Sequence, residues 1–147
     1  MGLIEPAGNG TIKLHYDITA DDFLCAGEAS SNVKKILNQL GINPIVIKKA
    51  AISMYEAEIN AVIHANGGVA DVEISPVSIL INIEDEGPGI PDIGLAMQEG
   101  YSTAPDSVRE MGFGAGMGLP NIKRYSDDFK IQTQVGKGTK ITIRVNI

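Results

Sequence analysis

Five stretches of this chain alternate apolar and polar residues with a period of two, and that alternation limits its possible folds more than any other feature. In the first, Ile12, Leu14, Tyr16 and Ile18 share one side, opposite Lys13, His15 and Asp17. In the second, about 69–75, Ala70, Val72 and Ile74 oppose Asp71 and Glu73. Val77, Ile79, Ile81 and Ile83 line one side of the third, and the last two, near 129–135 and 139–147, carry apolar residues at odd positions. A period of two is the side-chain repeat of a β-strand, so each stretch offers one face to a core and one to water. Strands of that kind belong to an antiparallel or mixed sheet covered on one side only.

The cover has to be helical. Residues from about Asp22 to Leu40 read as one helix, ended by Gly41. Pro44 suits the first turn of the next, whose pattern runs to about Asn66 and stops at Gly67-Gly68. A short helix is expected over 91–99 and another after Gly118, with Pro120 tolerated in its first turn. No repeat or linker divides the chain, and 147 residues suffice for one core. The expected fold is α/β in the α+β sense. It is one domain over 1–147, a two-layer sandwich whose mixed, mostly antiparallel sheet carries helices on one face.

Composition narrows the partners. A net charge of −6 argues against direct nucleic-acid binding, which rewards clustered Lys and Arg. It leaves a nucleotide open, because a magnesium ion and a few local donors can neutralise one triphosphate. Cys25 is the single cysteine, so no intrachain disulfide can form and a reducing compartment is the natural setting. No apolar run is long enough to span a bilayer, and the N-terminus lacks the pattern of a signal peptide. A cytoplasmic protein with no membrane partner is expected.

Several places break the pattern. Lys49, Ser53, Glu56, Asn60 and His64 follow helical spacing, so they form one polar stripe on an otherwise apolar helix. A stripe of this kind is a solvated face, or else a site. Asn60 offers an oxygen to a hard cation, and Glu56 can take a proton from water or a hydroxyl. Asp85 continues the odd-numbered series 77–83, so its carboxylate points inward, where it needs donors. Those donors are either the turn that follows, Glu86-Gly87-Pro88-Gly89, or the amino group of a buried ligand such as adenine. In the second case Gly87 and Gly89 let the backbone pass close to the base. Thr139 likewise shares its face with Ile141, Ile143 and Val145, as a plain strand residue or a second polar group of the inner layer. The run 111–118 has glycine at every second position ahead of a helix, as either a surface loop or a cradle of amides for an anion. It lacks the Lys-Ser or Lys-Thr of a P-loop and the preceding apolar strand of a dinucleotide fingerprint, and protein-kinase motifs are absent.

Taken in order from about Ala50 to Ile147, these features resemble the GHKL (Bergerat-fold) ATPase superfamily of gyrase, Hsp90, histidine kinases and MutL. Residues 56–61 look like its N box, 85–90 its first glycine box, 112–119 its second, and 136–139 its terminal motif. The closest likeness is to bacterial anti-sigma factor serine/threonine kinases, whose ATP lid the segment 101–105 and Arg109 resemble. The resemblance implies Glu56 as the general base and Asn60 as the magnesium ligand. It implies Asp85 as acceptor from the adenine amino group with Thr139 in support, and Gly87, Gly89 and Ile90 lining the base. It also implies that Thr103, Arg109, Gly114, Gly116, Met117, Gly118 and Leu119 surround the phosphates. The glycine run here is longer than in the sporulation kinases, which bears on the lid. His64 is either a site contact or an ordinary core or surface histidine.

The implied function is an ATP- and magnesium-dependent protein serine/threonine kinase of anti-sigma type. Its implied partners are a STAS-type anti-anti-sigma protein, a sigma factor and, as a homodimer, a second copy of the chain. Histidine kinase fits less well, because no phosphoacceptor helix pair precedes Ala50. The alternatives are a non-catalytic, ATP-switched binding module and an ATPase without protein phosphotransfer.

Overall fold

A computed structural model of the chain describes residues 3–7, 10–19, 25–64, 67–98 and 118–147. Six strands form one sheet: β1 (Leu3–Ala7), β2 (Thr11–Ile18), β3 (Gly68–Ile74), β4 (Ser78–Asp85), β5 (Asp128–Gln134) and β6 (Gly138–Asn146). They lie in the order β1-β2-β3-β4-β6-β5, and each of the five pairings is antiparallel. β1 is the strand that periodicity missed, since Glu5 and Pro6 interrupt any alternation in its five residues.

Pairing aligns the apolar positions into rows. Leu14, Val72, Ile81, Ile143 and Phe129 make one, and Tyr16, Ala70, Ile83, Ile141 and Ile131 the next. Most of these side chains are buried in one core with the helices. A one-residue slip in any strand would turn its apolar set to water, so this core fixes the register. The opposite face stays wet and carries Lys13–Glu73 and His15–Asp71 ion pairs across β2 and β3. Val77 departs from expectation. It lies before β4 and is 71% exposed, because Ser75 draws the chain into a turn by accepting the Val77 and Ser78 amides.

The helices are α1 (Glu28–Gln39), α2 (Pro44–His64), α3 (Ile93–Ala96) and α4 (Gly118–Tyr125). α1 starts later than its apolar pattern suggests. Gly27 takes a left-handed conformation (φ 89), and the buried Glu58 carboxylate of α2 accepts the amides of Gly27, Ala29 and Ser30. A carboxylate at those free N–H groups sets where the helix can begin. Gly41 ends it as expected, with φ 72. Asn43 caps α2 through the Ile45 amide at 2.8 Å, and Pro44 follows in the first turn. α2 is the central helix, packed on β2, β4 and β6 below and on α1 and α4 at its sides.

Candidate functional site

At one end of the sheet the inner rows change chemistry. The row after Tyr16–Ile131 reads Ile18, Gly68, Asp85, Thr139 and Thr133, so three adjacent strands present polar side chains where the previous row presented isoleucines. Asp85 Oδ1 accepts the Gly87 amide at 2.8 Å and the Thr139 amide at 3.2 Å. The turn contact weighed for Asp85 is therefore real, yet it occupies only one oxygen, and Oδ2 takes no hydrogen bond among the described residues. Thr139 is buried, with its hydroxyl 2.9 Å from that of Thr133. Thr133 in turn accepts the Ile90 amide at 2.8 Å, and Pro88 accepts the Gly136 amide at 2.9 Å. The 86–90 turn is thus tied at both ends to the β5–β6 hairpin. Gly138 permits this closeness: at φ 139, a Cβ there would sit 2.0 Å from the Asp85 carbonyl oxygen. Gly89 is equally confined, since its Cβ would lie 2.6 Å from the Gln134 carbonyl.

The second cluster lies between α2 and α4. Lys49 Nζ pairs with Asp127 Oδ1 at 2.6 Å, Glu56 Oε1 accepts from Asn121 Nδ2 at 3.4 Å, and Asn60 faces Gly118. Positions rising along α2 meet positions falling along α4 and its C-terminal end, so the two run antiparallel with the polar stripe as their seam. The stripe is therefore packed along a helix seam, with Lys49, Glu56 and Asn60 half-buried, rather than turned fully to water. Ser53 is fully buried, and its hydroxyl has no partner among the described residues. Glu56 and Asn60 are half-buried. A Cβ on Gly118 would stand 3.2 Å from Asn60 Oδ1 and 3.5 Å from Glu56 Oε2, so the absence of a side chain there keeps a polar cradle open. Burial pushes the Glu56 carboxyl above its ordinary value, and the Asn121 amide works against that shift.

Of the expected site residues, the structure brings Glu56, Asn60 and Gly118 together at one place and Asp85, Gly87, Gly89, Ile90 and Thr139 at another. The Leu119 side chain is buried in the core, which leaves its main chain for any ligand. Thr103, Arg109, Gly114, Gly116, Met117 and the His64 side chain lie outside the described residues. Thr133 and Asn121 belong to the site but were not singled out from sequence. Strand parity with Thr139 could have found Thr133, while Asn121, one turn after Gly118, carried no comparable signal. A separate cavity of about 270 Å³, lined by Tyr16, Asp17, Asn32, Glu58 and Val62 among others, opens on the other flank of α2. Its one buried carboxylate is already occupied by α1, and burial near Glu58 pushes the Tyr16 hydroxyl to about 12.

The geometry has known counterparts. The sequence pattern of the histidine kinase-, DNA gyrase B-, and HSP90-like ATPases (HATPase_c) matches residues 52–147, which include both clusters apart from Lys49. The chain belongs to this family. Its relatives include the serine/threonine-protein kinase RsbT of Bacillus subtilis, 31% identical over 84% of this chain and 88% of that protein. The anti-sigma F factor of Clostridium acetobutylicum is 37% identical over 65% of this chain and 66% of its own length. The mycobacterial sensor histidine kinase MprB shares the fold, with a TM-score of 0.52 at 18% identity over 90% of this chain and 95% of that one. Among the described residues no group of three His, Cys, Asp or Glu side chains could hold a metal ion. The Asn60 amide oxygen, facing the open space at Gly118, would fit a magnesium ion that took phosphate oxygens and water for the rest of its shell. That fits its preference for few protein ligands.

Proposed function

We propose that this chain is an ATP-dependent protein serine/threonine kinase of the anti-sigma regulatory type, acting in trans on the hydroxyl of a small STAS-like partner and binding a sigma factor. The observation that carries the reading is the meeting of Glu56, Asn60 and Gly118: a carboxylate, a carboxamide and a glycine without a side chain converge at the start of α4. The likeness to RsbT and to an anti-sigma F factor supports the same class.

The mechanism follows from the two clusters. Asp85 Oδ2 accepts from the adenine amino group, and Gly87, Gly89 and Ile90 shape the wall beside it. This sets the triphosphate toward α4, where Gly118 and the preceding glycines bring amides to the phosphates. Asn60 would hold a magnesium ion, which would supply neutralisation of triphosphate charge. Glu56 Oε1 is held by Asn121, leaving Oε2 to take the proton of the incoming hydroxyl. That oxygen then bonds to the terminal phosphorus, and the bond to the ADP oxygen breaks. A half-buried carboxylate with a raised pKa is a stronger base than one free in water, which suits proton transfer near neutral pH.

The test is transfer of labelled terminal phosphate from ATP to STAS-domain proteins encoded in the same genome. Phosphoserine or phosphothreonine that appears with the unaltered chain and is lost with Glu56→Gln supports the kinase. ATP binding without transfer or phosphate release across those partners points instead to an ATP-switched binding module. No helix among the described residues is long and apolar enough to cross a membrane.

A further inference from the structure

The polar row of the sheet contains one hydroxyl more than adenine binding by Asp85 and Thr139 requires. Thr133 Oγ1 has a single proton and three neighbours. It accepts the Ile90 amide at 2.8 Å, and its proton has two acceptors within reach, Thr139 Oγ1 at 2.9 Å and the Gly138 carbonyl at 3.3 Å. The Ile90 N–H fills one lone pair, so the Thr133 proton is free to donate, and the nearer acceptor is Thr139. With that bond made, Thr139 Oγ1 receives a proton on its inner side, and its own proton is left to point away from Thr133, toward the space in front of Asp85.

We infer that Thr133 is a positioning residue that sets the Thr139 hydroxyl as a donor toward N1 of adenine, the ring nitrogen next to the amino group taken by Asp85. The inference rests on the reading of Asp85 as the adenine acceptor. Together the two side chains offer one acceptor and one donor side by side, which matches the amino group and bare N1 of adenine. Guanine presents a carbonyl oxygen and an N–H at the same two places, so it meets a carboxylate with an acceptor and a hydroxyl proton with a donor. Thr133 would therefore contribute to base selection without touching the base. Its tie to Ile90 holds the same turn that carries Gly87 and Gly89, so position and proton direction are set by one atom.

Binding measurements need no protein partner. ATP is compared with 1-deaza-ATP, which has a C–H in place of N1, on the full chain and on Thr133→Val, Thr133→Ser and Asp85→Asn. Thr133→Val should weaken ATP about tenfold, the scale of one lost hydrogen bond, and 1-deaza-ATP by less than about threefold. Thr133→Ser, which keeps the hydroxyl, should bind ATP within about threefold of the unaltered chain. Equal losses for both nucleotides would mean that Thr133 only supports the turn and would overturn the inference, as would no loss at all. If Thr133→Val does not fold, Thr133→Ala is read against the same pair. Full ATP affinity in Asp85→Asn would remove the adenine reading itself. Loss there with unchanged binding in the Thr133 variants would remove only the role of Thr133.

Discussion

The two halves of the site are built by different means. The Asp85–Thr139–Thr133 corner is held by strand pairing: two antiparallel pairings place these residues in one row, and backbone amides from two turns close around them. The Glu56–Asn60–Gly118 edge is held by two helices lying side by side, with side chains along the seam. Strand pairing is a ladder of backbone bonds and tolerates little displacement. A helix seam depends on which side chains fill it, so its geometry can be shifted by a single substitution. On the proposed function, the corner is suited to holding a rigid base, and the edge to chemistry at the terminal phosphate.

If this division is right, each half can be broken alone. Glu56→Gln should lower phosphoryl transfer by about 100-fold or more while ATP affinity stays within about threefold, measured by initial rates and by titration. Asp85→Asn should do the reverse, weakening ATP by about 10- to 100-fold because a charged acceptor is lost, with any residual transfer recovered at saturating nucleotide. Should both variants change binding and turnover together, the two clusters act as one unit and the comparison fails.

Smaller changes sharpen it. Asn121→Ala frees Glu56 Oε1 and should reduce turnover about tenfold without altering ATP affinity, an effect that should vanish in a Glu56→Gln background. At the far end of the seam, Lys49 and the Asn146 amide hold the Asp127 carboxyl below its ordinary value. A lowered carboxylate stabilises the fold above its unfolded pKa, and this stabilisation is lost as pH falls through the folded value. Lys49→Met should therefore cost about 0.5–1 kcal/mol near neutral pH, and the difference from the unaltered chain should shrink on acidification, as followed by chemical unfolding. Least affected should be His15 on the wet face, raised by its bond to Asp71 and further by Asp17. Its contribution is complete below the unfolded imidazole value and lost as pH rises through the folded one. His15→Gln should flatten a small decline in stability as pH rises above the unfolded imidazole value and leave both halves of the site untouched.

How much of this could be read from the chain differs between the halves for the same reason. In the corner, parity alone turned Asp85 and Thr139 inward, because a strand has only two faces and the apolar residues claim one of them. Thr133 obeys the same parity, yet an isolated threonine in a strand is ordinary until its neighbours across the sheet are known. At the edge, spacing put Lys49, Ser53, Glu56 and Asn60 on one stripe but left its exposure open. A polar stripe facing water and one facing another helix have the same spacing. The late start of α1 was hidden for a related reason, since it depends on Glu58, about thirty residues away in sequence.

By itself, then, the amino-acid order determined a sheet with one apolar face, mixed or mostly antiparallel, and an acid and a threonine on its inner side. Those follow from local periodicity and the cost of burying the wrong face. Only the tertiary structure decided that α4 covers the stripe, that Asn121 reaches Glu56, and that Gly118 leaves the space between Glu56 and Asn60 open. Those depend on which elements meet, and contacts between segments some sixty residues apart leave no period in the sequence to read.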